Sequence, residues 1–242
     1  MNWGISHSAH APHGLLSGCA KKFSTQNKYF EDLLAKSEKS HQTFTPLDFA
    51  IKDKEIMDAI KHLKNNKSAG LDGIRNEMLK TNVQYILPFA LKLFNIILSS
   101  GKYPKEWKTG FIRPIHKNDS PHDPSNYRGI TITSCLSKVF NSILNTRLQN
   151  YLDSNNIINK VQIGFQPKAR TSDHMFVLRT LIQKYTNNKS KLYVCFINFS
   201  KAFDTVLHSA LLYRLRQIDI KGPFYRVIKD MYMANSVCET SK

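Results

Sequence analysis

Apolar residues recur at helical spacing along much of the chain, and the exceptions to that spacing mark its extended pieces. A short apolar segment carries Tyr29, Phe30, Leu33 and Leu34. Asp53 is placed to cap a helix with Ile56, Met57, Ile60 and Leu63 on one face, ending near Asn65 and Asn66. After the loop KSAGLDGI (67–74), a longer helix aligns Ile86, Leu87, Ala90, Leu91, Phe94, Ile97 and Leu98. Gly101 and Pro104 stop it, and Pro88 is expected to kink it. From about 111 the period shortens: FIRPIH and YRGITIT read as two strands separated by a loop rich in Asp, Ser, Pro and Asn.

Two further amphipathic helices follow. Ser134 can cap one that carries Val139, Phe140, Ile143, Leu144, Leu148, Tyr151 and Leu152. Ser172 can cap another that carries Phe176, Val177, Leu181, Ile182 and Tyr185, and both stripes are expected in the core. Residues 191–199, KLYVCFINF, are apolar on both alternations and read as a central strand covered on both faces. Leu211, Leu212, Leu215 and Ile218, then Phe224, Val227, Ile228, Met231 and Tyr232, predict two more helices. There is no internal repeat, and helices interspersed with strands point to a mixed α and β fold.

Composition narrows the class. With 41% apolar and 22% charged residues in 242, the chain can bury a sizeable core, which excludes wholesale disorder, a collagen-like repeat and a coiled coil. The stretch to about Gly18, rich in Ser, His, Ala, Pro and Gly, reads as a loose arm. His7, His10, His13 and Cys19 on that arm could be read as metal ligands, but their segment lacks a scaffold, and solvated side chains are the preferred reading.

Charge points to a partner. The net charge is +17, and residues 101–190 hold 14 Lys and Arg against 5 Asp and Glu. Such an excess favours a polyanion, nucleic acid first, the alternative being a basic solvated surface without a ligand. Four scattered cysteines (19, 135, 195, 238) argue against a disulfide framework and fit a reducing compartment. No secretory signal is visible at the N-terminus, and the longest apolar stretch, 85–98, is interrupted by Lys92 and Asn95 and reads as too short for a membrane span. The expected location is intracellular, with nucleus and cytoplasm undistinguished because no tight Lys/Arg cluster occurs.

Candidate chemistry is sparse. Strand 191–199 would bring Asn198 to its carboxyl end, with Lys201, Phe203 and Asp204 just beyond, where open sheets place ligands. Asp204 alone reads more naturally as a helix cap than as a catalyst.

Five blocks in order change the picture: KSAGLDGI (67–74), PKEWKTGFIRPIHK (104–117), NYRGI (126–130), QIGFQPKARTSDHMFVL (162–178) and FINFSKAFD (196–204). Together they resemble the reverse transcriptase of non-LTR retrotransposons, over roughly 67–235. The resemblance implies an α+β fold with reverse-transcriptase-like fingers and an incomplete palm, preceded by a helical connector. The implied boundaries are a disordered arm at 1–20, the connector at 21–105, fingers at 106–190 and the first part of the palm at 191–242. It implies RNA-directed DNA polymerisation with Mg²⁺, using an RNA template, a DNA primer and deoxynucleoside triphosphates, with no membrane partner and the oligomeric state left open.

Residue by residue, the resemblance sets Lys117 and Arg128 at positions that touch the incoming triphosphate or the template, an ion pair within the fingers being the alternative for Arg128. It sets Gly164 and Phe165 at a template-side turn, with simple packing as the alternative, and Phe203 at the steric gate that screens the sugar 2′ position. Asn198 stands where the family has an aspartate that binds both metal ions. Two-metal phosphoryl transfer uses carboxylates to hold ions about 4 Å apart, and a neutral amide cannot offset the charge between them. The family's paired-aspartate hairpin, of the F/Y-A-D-D type, is also missing from these residues. The expectation is a truncated, degenerate reverse transcriptase segment without polymerase activity. The alternatives are a non-catalytic RNA- or DNA-binding protein, or a decayed or misassigned fragment without function.

Overall fold

The computed structural model describes residues 27–37, 44–117, 120–123, 126–159, 161–166, 169–199, 202–203, 205–233 and 238–240. The expected arm at 1–20, its three histidines and Cys19, and also Lys201 and Asp204, lie outside the described residues. The elements are α1 (27–37), a 3-10 turn Pro46–Asp48, α2 (Asp53–Lys61), α3 (Asn76–Thr81), α4 (Val83–Ser100), α5 (Lys105–Lys108), β1 (Gly110–His116), β2 (Tyr127–Ile132), α6 (Cys135–Ser154), α7 (Thr171–Asn187), α8 (His208–Gln217), α9 (Pro223–Met233) and β3 (Cys238–Thr240). Helices with one small sheet make a mixed α and β architecture, compatible with the α+β class. The chain divides into two units, Met1–Tyr151 with Val206–Lys242, and Leu152–Thr205.

The first unit is built on an aromatic core. Phe94 of α4 packs against Phe140 of α6 at 5.2 Å between ring centroids, and Trp107 of α5 lies at 6.1 Å from Phe94 and 5.9 Å from Phe140. Val139, Ile143 and Leu144 of α6, Ile56 and Ile60 of α2, Leu212 of α8, and Phe224 and Val227 of α9 complete it. These are the stripes that helical spacing picks out, because burial of one face selects residues three and four apart. Met57 is the exception on α2: it is exposed, and the helix ends at Lys61, short of the Asn pair. Helix α4 runs unbroken through Pro88 and ends at Gly101, which takes φ +71°. By length and composition α4 could cross a membrane. In this fold one face of it is core, and Asn95, one of its two polar interruptions, bonds the backbone of Ile51 through both its amide oxygen and its amide nitrogen.

The segment from Thr45 to Glu55 is pinned by two charged groups. Arg147 of α6 donates to both carboxylate oxygens of Glu55, at 2.6 and 2.8 Å, and to the carbonyls of Leu47, Phe49 and Ala50. Buried Asp48 accepts from the N–H and hydroxyl of Thr45 and from the N–H of Phe224, so one carboxylate ties the 3-10 turn to the first turn of α9.

The sheet has the order β2-β1-β3, with β1 antiparallel to β2 and parallel to β3. Its base is closely fitted. A Cβ on Gly110 would meet the Ile132 carbonyl at 2.7 Å, and a Cβ on Gly70 would meet the backbone of Ser134 at 2.8 Å. The KSAGLDGI loop therefore lies directly against the junction of β2 and α6, where the Cys135 thiol also reaches the Ile74 carbonyl. Ser134 stands just before α6 as expected, but its buried hydroxyl oxygen has no hydrogen-bond partner among the described residues.

The second unit departs from two expectations. α7 begins one residue before Ser172, and its first turn is capped from within by Asp173, which accepts from the Arg170 N–H at 2.8 Å. Its stripe is not core: Phe176, Val177, Leu181, Ile182 and Tyr185 are all exposed. Residues 191–199 form no strand, and Tyr193, Phe196, Ile197 and Phe199 are each at least three-quarters exposed. A strand exists only with a ladder partner, and among the described residues none pairs with this segment.

Candidate nucleic-acid interface

The β1–β2 hairpin positions two of the expected residues. Its register sets Arg128 opposite Ile115, and the Lys117 N–H donates to the Asn126 carbonyl at 2.8 Å, extending the ladder one residue past β1. Because side chains alternate across a strand, Ile115, Lys117 and Arg128 share one face. That face is open to solvent: Ile115 and Ile130 are 47% and 43% exposed, and Pro114 and His116 on the opposite face are exposed as well, so burial is confined to the base of the hairpin at Ile112. The side chains of Lys117 and Arg128 are exposed and make no hydrogen bond or ion pair among the described residues.

The segment NYRGI has a local use beyond Arg128. The Tyr127 hydroxyl donates to the Pro121 carbonyl at 2.9 Å and the Asn126 amide to Ser120, so both side chains fold the connecting loop back on the strand ends. Tyr127 and His116, partners in the ladder, also bring their rings together at a tilt, with centroids 5.1 Å apart. Sequence reasoning reached the arginine and missed these two positioning groups, whose signal was their place at a strand start after a polar loop.

Below the hairpin, Lys108 and Asp230 form an ion pair at 2.8 Å, and the Tyr103 N–H donates to the same carboxylate oxygen at 2.7 Å. Burial would raise the Asp230 pKa, but the Lys108 and Tyr103 hydrogen bonds outweigh it and hold the carboxyl below its usual range. This fastens α9 to the segment that leads into β1.

The other expected residues lie in the second unit. Gly164 and Phe165 sit in a turn closed by the Gln166 N–H on the Ile163 carbonyl, and Phe165, not the glycine, takes the positive φ, +61°. Phe165 and Phe203 meet edge to face at 6.1 Å between centroids, and both remain largely exposed. Asn198 is exposed, and its side chain has no hydrogen-bond partner among the described residues.

Among the described residues no group of three or more His, Cys, Asp or Glu side chains could hold a metal, and Asn198 offers one neutral carbonyl.

Lys117 and Arg128, exposed and without partners among the described residues, lie on the hairpin of a strongly basic chain, and the sequence comparisons give that chain a family. The profile of "Reverse transcriptase (RNA-dependent DNA polymerase)" matches residues 115–242, and the chain belongs to that family. Among its relatives, "Probable RNA-directed DNA polymerase from transposon BS" of Drosophila melanogaster is 32% identical over 210 residues, covering 86% of this chain and 23% of the relative. "RNA-directed DNA polymerase from mobile element jockey" of the same organism is 28% identical over 193 residues, covering 79% of this chain and 21% of the relative. The chain thus spans about a quarter or less of the length of these relatives.

Proposed function

We propose that this chain is the connector, fingers and first palm portion of a non-LTR retrotransposon reverse transcriptase, and that it binds nucleic acid without polymerising it. In this reading 21–105 is the connector, 106–190 the fingers and 191–242 the start of the palm. Lys117 and Arg128 contact phosphates of the template or the incoming deoxynucleoside triphosphate, Gly164 and Phe165 face the template, and Phe203 stands at the sugar gate. The observation that carries it is the hairpin: two cations without partners among the described residues, side by side on one exposed face, in a chain of net charge +17.

Loss of catalysis rests on Asn198. A carboxylate that bridges two Mg²⁺ ions supplies negative charge at the point where the transferred phosphoryl group needs both metals, and the amide supplies none.

The test uses the purified 242-residue chain. Binding to single-stranded RNA should weaken steeply with salt, with a log–log slope of about −0.7 per phosphate contacted. Primer extension on an RNA template with Mg²⁺ should be absent. Salt-independent or absent binding overturns the nucleic-acid reading, and templated extension overturns the loss of catalysis.

A further inference from the structure

The register of the hairpin assigns a residue that the family resemblance does not. Arg113 pairs with Ile130, so it falls on the same exposed face as Ile115, Lys117 and Arg128. It is exposed, and its guanidinium has no hydrogen bond or ion pair among the described residues. The three cations alternate with isoleucines in a checkerboard. Arg128 lies diagonal to Arg113 on one side and to Lys117 on the other, at about 7–8 Å between such positions. Along the strand, Arg113 and Lys117 are four residues apart, about 13 Å.

That spacing discriminates between phosphate ligands. A nucleoside triphosphate concentrates its charge on phosphorus atoms joined through single shared oxygens, which suits the Lys117 and Arg128 end alone. A row of this length matches a ligand that repeats its phosphates along a chain, and the isoleucines between the cations give sugars an apolar surface. A guanidinium also offers two parallel donors to one phosphate.

We propose that Arg113 is a third phosphate-contacting residue, and that this exposed face of β1 carries the backbone of a single nucleic-acid strand past Arg113, Arg128 and Lys117. This rests on the nucleic-acid reading above. The open geometry of the face supports a surface that a strand crosses, and nothing on it fixes a base.

Fluorescence anisotropy with the full chain and a labelled single-stranded RNA tests it, comparing Arg113→Gln, Arg113→Lys, Arg128→Gln and, as a control at the exposed end of α2, Lys61→Gln. Equal thermal midpoints verify that the surface changes leave the fold intact. Arg113→Gln should weaken binding about 5- to 10-fold at low salt and reduce the log–log salt slope by about 0.7, the value for one phosphate of a single strand. Arg113→Lys should restore the slope, and Lys61→Gln should leave both unchanged. An unchanged slope in Arg113→Gln beside a reduced one in Arg128→Gln overturns this inference and leaves the nucleic-acid reading standing. So does a loss in Arg113→Gln of competition by a deoxynucleoside triphosphate without loss of RNA affinity, which would place Arg113 on the nucleotide. Absence of RNA binding by the unmodified chain overturns both.

Discussion

Arg147 illustrates how much of this molecule rests on single side chains. Its guanidinium joins a carboxylate on α2 and three carbonyls between Leu47 and Ala50, so removing it strips those acceptors of a donor and leaves Glu55 with the Lys52 N–H alone. Arg147→Ala is expected to cost about 2–4 kcal/mol, read as a lower denaturant midpoint at unchanged slope. Burial works to raise the Glu55 pKa, yet the Arg147 and Lys52 N–H bonds prevail and the net shift is downward, as for Asp230. A carboxyl whose folded pKa lies below its unfolded one stabilises the fold above the ordinary carboxylate range and loses that contribution as pH falls through the folded value. Thermal stability should therefore hold from neutral pH down to about 5 and fall below about pH 4, and Glu55→Gln should flatten part of that fall. Neither effect was legible beforehand. Arg147 lies 92 residues from Glu55, and nothing in a lone arginine on a helix announces its partner.

At the scale of elements, α6 and α7 are the instructive pair. Both carry apolar stripes at helical spacing, and only that of α6 is buried. Periodicity reports that a face is suited to burial, while what covers it depends on neighbours the pattern does not contain. The segment 191–199 repeats the lesson for strands: its apolar, β-branched composition suits a covered sheet, and without a paired edge it stays exposed. The consequence is measurable. Phe140→Ala should destabilise the protein by about 3–5 kcal/mol, because it empties a site in the aromatic core. Phe176→Ser on α7 should leave the thermal midpoint within about 2 °C and raise solubility, since it removes exposed apolar surface. A loss of stability in Phe176→Ser equal to that in Phe140→Ala would contradict the placement of α7. The hairpin lies between these cases. Its two strands and loop were readable from period and turn residues, but that burial stops at Ile112 and leaves the rest of β1 exposed was set by its neighbours.

For the molecule as a whole, two units of unlike burial should behave differently. Leu152–Thr205 presents an exposed helix and an extended apolar segment, whereas the unit formed by Met1–Tyr151 and Val206–Lys242 holds the buried core. Limited proteolysis should cut first between Asn188 and Phe199, and the core helices should resist for longer, as mass spectrometry of early fragments would read. First cuts inside α4 or α6 would contradict this.

The sequence alone determined the longer helices, the hairpin and the family, because these depend on local period, on turn chemistry and on the order of short motifs, while the short helices α3 and α5 went unread. It also singled out Lys117, Arg128 and Asn198 as candidates, since each belongs to a motif. Only the tertiary structure decided which stripes became core, which hairpin face bears Arg113 beside Lys117 and Arg128, and how Arg147, Asp48 and Asp230 fasten distant segments. Those outcomes are set by contacts between residues far apart in the chain, and a linear pattern carries the capacity for such contacts without naming the partner.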